Sequence, residues 1–330
     1  MVSSSLFASA LAIFASIGLG NAATYSNPLR SPDGSDPFMV YTGGYYYFMT
    51  TTWNDIQITR ATTLEGLKTA PKKVVYSASC SSRPTRCANV WAPEVHWINE
   101  KWYIYYTAGV AANLDGQRVH VLTGSGNTPW DAFTYTGQLT NQWSIDGSIV
   151  RFNGFGNYLV FSCMNGGQYQ SICMAPMKTP TTAGAVTVIS TPDQAWEQHG
   201  TPVNEAPIAL YNAGKTFIAY SGSYCWTPNY ALGLLTWDGK TDPSKKAAWA
   251  KKGPVLSSAA GNYGTGHNGF FTSPDGKEQW VVYNAASNSA GACDASRYAS
   301  AQKLSFNSDG SPKFATPVKP GTTLTGPSGE

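Results

Sequence analysis

The sequence predicts an all-β chain folded as a five-bladed β-propeller, and three observations lead there. Five segments repeat the same order of features, with openings 52 to 62 residues apart, a spacing that suits one four-stranded sheet per repeat. The composition is rich in turn formers and aromatics, with 33 Gly, 19 Tyr and 11 Trp in 330 residues, which favours strands joined by tight loops. Charged residues make up only 12%, against about 25% in an ordinary soluble domain. A long antiparallel sandwich would house the strands, but it would not explain a polar residue recurring at one strand position.

Each repeat reads as a polar opening, an apolar strand, a turn and an aromatic strand. The first opens at Asp36-Pro37-Phe38, turns at Thr42-Gly43-Gly44 and returns through Tyr45, Tyr46, Tyr47, Phe48 and Met49. The second opens at Pro93-Glu94-Val95 and returns from Trp102 to Tyr106; the third opens at Asp146-Gly147-Ser148 and returns from Tyr158 to Phe161. The fourth opens at Glu205-Ala206-Pro207 and returns from Thr216 to Tyr220. The fifth opens at His267-Asn268-Gly269, turns at Pro274-Asp275-Gly276 and returns from Gln279 to Tyr283. A third strand follows in each, beginning near Ile56, Arg118, Ser171, Ala231 and Ala299. In a propeller the first strand of each blade lines the axis, so Asp36, Glu94, Asp146, Glu205 and His267 are expected to converge on one funnel. Gathering carboxylates is costly, because they repel and desolvate one another, and that cost points to chemistry.

The ends and cysteines frame this body. The apolar run from Leu6 to Leu19, followed by Gly20-Asn21-Ala22, reads as a secretory signal peptide over residues 1–22. Residues 23–330 are then one catalytic domain in an extracellular protein. Six cysteines allow 15 pairings. Local spacing suggests Cys80–Cys87 clipping a loop and Cys163–Cys173 linking strands around an Asn-Gly-Gly turn, which leaves Cys225–Cys293. The net charge of +3 comes from scattered residues, so no basic stripe for nucleic acid exists. No later apolar run is long enough to span a membrane as a helix. The chain is expected to act as a monomer.

Two carboxyl groups across a pocket are what glycoside hydrolysis needs, one to protonate the leaving oxygen and one to activate water or attack. The motifs Ser35-Asp36-Pro37-Phe38, Trp91-Ala92-Pro93-Glu94, Ser144-Ile145-Asp146-Gly147-Ser148, Asn204-Glu205-Ala206-Pro207 and Gly266-His267-Asn268 resemble those of glycoside hydrolase family 43, one per blade and in order. The resemblance implies an inverting enzyme acting on arabinan or xylan. It implies Asp36 as general base, Glu205 as general acid and Asp146 as the carboxylate that tunes and orients the acid. Glu94 is assigned no catalytic role.

Trp91 is expected at the funnel rim, where it can stack on a sugar, and Tyr224 in the loop after the second strand of blade four, where it can wall the subsites; the resemblance places Arg297 against the sugar. It implies a calcium ion in the axial channel near His267, held largely through water, with no cofactor required for the chemistry. The clipped loop before Trp91 favours an exo pocket on α-1,5-L-arabinan, a plant cell-wall polysaccharide. The alternatives are a β-xylosidase, an arabinofuranosidase trimming arabinoxylan, or a carbohydrate-binding propeller without catalysis. Taken singly, Asp36 before Pro37 and Asp146 before Gly147 could each simply begin a turn. A sialidase is disfavoured, because its repeated Ser-x-Asp-x-Gly-x-Thr-Trp turns are absent.

Overall fold

The structure, a computed structural model, describes residues 23–330; the expected signal peptide lies outside them. A short strand β1 (Thr24–Ser26) precedes five sheets. Blade one holds β2 (Phe38–Thr42), β3 (Tyr45–Met49), β4 (Asp55–Ala61) and β5 (Lys72–Ser77). Blade two holds β6 (Ala88–Ile98), β7 (Lys101–Gly109), β8 (Arg118–Gly124) and β9 (Phe133–Gln138). Blade three holds β10 (Ser144–Phe152), β11 (Gly156–Asn165), β12 (Tyr169–Thr179), β13 (Thr182–Ala183) and β14 (Thr187–Ser190), the last two pairing different stretches of β12. Blade four holds β15 (Asn204–Asn212), β16 (Lys215–Gly222), β17 (Ala231–Trp237) and β18 (Trp249–Leu256). Blade five holds β19 (Tyr263–Thr272), β20 (Gln279–Ala286), β21 (Tyr298–Phe306) and β22 (Pro312–Lys313), and β23 (Thr323–Thr325) follows it. Within each sheet consecutive strands pair antiparallel. The fold is therefore the expected five-bladed propeller, and each anticipated repeat is one blade.

The core consists of seams between blades. Tyr47, Met49, Ile56 and Ile58 of blade one meet Val95, Ile104, Tyr106 and Leu122 of blade two. Tyr105, Val119 and Val121 meet Ile149, Leu159 and Phe161, and the next seam sets Val160 and Met174 against Ile218 and Leu235. The period-two alternation of each strand sends one row of side chains to each neighbouring seam. That explains why aromatic strands such as β3 and β7 are apolar on both faces.

The ring closes through the N-terminal segment. β1 pairs with β23, Leu29 N–H donates to the Ala299 carbonyl at 2.8 Å, and Ala299 N–H returns to that of Arg30 at 3.0 Å. Gly34 N–H donates to the Arg297 carbonyl at 2.9 Å. A Cβ at Gly34 would collide with the Ala299 backbone, so only glycine lets the chain pass this close. The segment before blade one is thus laced to β21 of blade five, and it delivers Ser35 and Asp36 beside Arg297. All three expected disulfides form: Cys80–Cys87, Cys163–Cys173 and Cys225–Cys293.

Candidate active site

Each innermost strand enters the channel through the same local kink. Asp36, Ala92, Asp146, Ala206 and His267 all have positive φ, between 42° and 57°. In blades two to five the pairing register shifts at this point. Such a bulge re-aims a side chain at the cost of a conformation that few residues adopt, Asp and His more readily than most. All five kinked N–H groups are capped by a side chain of the preceding blade, four of them by a neutral polar one. Asn284 Oδ1 accepts from Asp36 at 3.1 Å, Thr51 Oγ1 from Ala92 at 2.8 Å, Thr107 Oγ1 from Asp146 at 3.0 Å and Ser221 Oγ from His267 at 2.8 Å. The fifth cap is a carboxyl group: Ala206 N–H donates to Oδ2 of Asp146 in blade three at 3.0 Å.

This register corrects one expectation. Glu94 does not occupy the place of Asp36 in blade two; Ala92 does. Trp91, opposite Thr107, stands where Glu205 stands opposite Ser221. Glu94 lies two residues further along the strand and binds His96 Nε2 through Oε2 at 2.8 Å. The converging polar set is therefore Asp36, Asp146, Glu205 and His267. The dipeptides Asp36-Pro37, Ala92-Pro93 and Ala206-Pro207 carried this alignment in the sequence, and matching acidic residues alone missed it.

Asp36 sits in a cationic socket. Its Oδ1 lies 3.2 Å from Arg297 Nη2 and 3.1 Å from His267 Nδ1, and Thr51 Oγ1 donates to Oδ2 at 2.5 Å. Burial alone would raise its pKa, but Arg297 and His267 outweigh burial and hold the carboxyl well below the usual carboxylate range. Arg297 is 96% buried, at 4% exposure, and spends Nε on Ser35 Oγ at 2.9 Å and Nη1 on Asn284 Oδ1 at 3.1 Å. The structure thus places Arg297 behind the expected base.

Glu205 and Asp146 live under the opposite regime. Burial raises both, and the neighbouring carboxylates add to it: Asp146 is pushed up to about 7, and Glu205 rises above the usual carboxylate range. For Glu205 the rise persists although Tyr230 Oη donates to Oε1 at 2.8 Å and Gln170 Nε2 donates to Oε2 at 2.6 Å. Burial lowers the pKa of His267, but Asp36 and Asp146 more than reverse this and lift it to about 9. Three carboxyl groups therefore face two cations. Full ionisation would leave one buried negative charge unpaired, so a proton stays on the Asp146–Glu205 pair.

Tyr230 and Gln170 were not foreseen. Tyr230 reaches Glu205 across Gly266, where any Cβ would collide with its ring. Neither residue bears a sequence signal, because one follows an irregular loop and the other starts a hairpin return. Tyr224, by contrast, stands 40% exposed beside Cys225. At the mouth Trp91 is half-buried, edge-on to Trp53 with ring centroids 6.0 Å apart, and its indole N–H has no protein partner. Trp53, itself at φ 71°, is a second rim aromatic that the repeats did not reveal.

Among the described residues no three His, Cys, Asp or Glu side chains converge as metal ligands. A direct calcium shell, which wants six to eight oxygens, is thus not built here. Asn268 does keep both amide atoms buried without partners, as does Ser148 its hydroxyl, which suits ordered water or a hydrated cation near His267.

The sequence profile described as glycosyl hydrolases family 43 matches residues 25–312. An extracellular exo-alpha-(1->5)-L-arabinofuranosidase of Streptomyces avermitilis is 35% identical, covering 96% of this chain and 71% of its own length. An alpha-L-arabinofuranosidase 43 of Humicola insolens is also 35% identical, covering 92% of this chain; this chain spans 65% of that relative. The crystal structure of an alpha-L-arabinofuranosidase from Lactobacillus brevis superposes with a TM-score of 0.84 at 28% identity, over 90% of this chain and 98% of the other.

Proposed function

Since the chain belongs to glycosyl hydrolase family 43, we propose that this glycoside hydrolase releases L-arabinose from the ends of α-1,5-linked arabinan with inversion. The observation that carries the mechanism is the split between Asp36, held low by Arg297 and His267, and Glu205, whose buried carboxyl is pushed above the usual carboxylate range alongside Asp146. Two carboxyl groups pushed apart in this way supply the base and the acid that the reaction requires. Asp36 takes a proton from water as the water oxygen attacks the anomeric carbon. Glu205 gives its proton to the departing glycosidic oxygen. Asp146 accepts the Ala206 peptide N–H next to the acid, and repulsion between the two buried carboxyl groups favours keeping a proton on the pair.

The half-buried Trp91 offers the exposed part of its ring to sugar. The Streptomyces avermitilis relative, named for exo attack on the α-1,5 linkage, supports arabinan over xylan. The extracellular naming of the Streptomyces relative and the three disulfides support a secreted enzyme. A calcium ion would be held through water by His267, Asn268 and Ser148. It would supply positive charge along the axis, and no step is routed through it.

Linear debranched arabinan separates the readings. Chromatography of the first minutes should show arabinose alone, and proton NMR should show the β anomer forming first. A ladder of oligomers would overturn exo attack, and the α anomer forming first would overturn inversion. Release from xylo-oligosaccharides but not arabinan would favour the β-xylosidase reading.

Tyr230 gives a pH test. Its hydrogen bond stabilises the ionised form of Glu205, so Tyr230→Phe should raise the pKa of the acid. The alkaline limb of kcat/KM should then move up by roughly half to one pH unit, the worth of one hydrogen bond. A limb that stays put or moves down would remove Tyr230 from the acid's control.

A further inference from the structure

A cavity of about 540 Å³ lies at the end of the axis away from the catalytic carboxyl groups. It is formed where the innermost strands finish, by Val40, Trp97, Ile149, Arg151, Tyr211 and Phe270 among others. Its size falls in the range of small-ligand sites, about 300–1,000 Å³.

Three features set this cavity apart from a drained channel mouth. Trp97 and Tyr211 remain 42% and 41% exposed although the seams could bury such rings. Arg151 ties the two aromatic residues together through polar atoms: its guanidinium Nη2 donates to the Trp97 backbone carbonyl at 2.9 Å, and its backbone N–H donates to Tyr211 Oη at 2.6 Å. The wall also carries His96, buried and paired to Glu94 at 2.8 Å. The residue that the sequence grouped with the catalytic set thus supports this second chamber instead. No acidic side chain lines the cavity, while Thr42 and Asn127 add neutral polar groups.

We propose that this far-end cavity is a second carbohydrate site, which binds short soluble arabino-oligosaccharides. The choice of sugar rests on the arabinan reading above; the sugar-binding chemistry rests on the cavity. Exposed aromatic faces take the apolar side of a sugar ring. The remaining guanidinium N–H groups of Arg151 can bond adjacent hydroxyls in parallel. None of Asp36, Asp146 and Glu205 lines the cavity, so the site holds fragments of substrate without cleaving them.

The test uses the full chain carrying Glu205→Gln, labelled with 5-fluorotryptophan and titrated with linear arabinotriose under fluorine NMR. Trp97→Phe and Trp91→Phe assign the two signals that matter. The Trp97 resonance should shift saturably, with a dissociation constant different from that read at Trp91. Arg151→Ala should weaken the Trp97 response about tenfold, as loss of a charged hydrogen bond does, and leave the Trp91 response in place. A Trp97 signal that stays fixed while Trp91 moves would overturn the second site and keep the arabinan reading. Movement at Trp97 alone would keep the site and overturn that reading. Silence at both signals would overturn both. Equal saturation of Trp97 by cellotriose would overturn the tie to arabinan fragments.

Discussion

Replacing Glu205 with Gln should lower kcat/KM on arabinan by about 10²–10⁴-fold, the usual worth of general acid catalysis, while the fold persists. The amide keeps the shape of the carboxyl and can still meet Tyr230 and Gln170, but it has no proton to give. The loss should depend on the leaving group. Linear arabinan departs as a poor alkoxide and needs the proton. An aryl arabinofuranoside with a strongly acidic phenol does not, so its rate should fall far less. Steady-state kinetics on the two substrates reads the difference directly. Near wild-type turnover of arabinan by the variant would sink the assignment of Glu205.

Asp36→Asn should be as severe, with a different signature. Water must be activated whatever leaves, so arabinan and the activated aryl substrate should lose comparable factors, again about 10²–10⁴. Stability should change as well. The variant leaves Arg297 and His267 buried without their counter-charge, a situation that costs about 3–5 kcal/mol. The wild-type protein should show the matching pH dependence. The depressed pKa of Asp36 contributes stability above its unfolded value of 3.8, lost as pH falls below it. The raised pKa of His267 contributes stability fully below 6.5, lost as pH rises through about 9. Thermal melts should therefore peak between these limits, and in Asp36→Asn both flanks should flatten. Unchanged melts, or kinetics that spare the aryl substrate, would separate Asp36 from the role of base.

How legible was this protein in its sequence? The blades were, because a repeated opening, turn and aromatic return is a one-dimensional pattern that each sheet reproduces. Asp36, Asp146 and Glu205 were also legible, since their motifs recur in order. The exact equivalence of positions was not. It depends on a bulge that shifts register, and acidic residues attracted the alignment to Glu94 where the proline dipeptides pointed to Ala92. The partners of the trio were hidden for another reason. Arg297 lies 261 residues from Asp36, and Tyr230 reaches Glu205 only because Gly266 has no side chain. Contacts of that kind arise from ring closure and seam packing, which no local window records. The far-end cavity was hidden likewise, since Trp97 and Tyr211 read as ordinary strand aromatics.

The lacing of residues 24–34 onto β21 also bears on when the molecule becomes an enzyme during its own manufacture. Asp36 is among the first residues of the domain to leave the ribosome, while Arg297 and β23 are among the last. Until the final blade is made, Asp36 lacks the Arg297 guanidinium beside it and Glu205 lacks His267 in its surroundings. The growing domain should therefore be catalytically silent until blade five is complete, and should acquire activity in a single step when the segment before blade one meets β21.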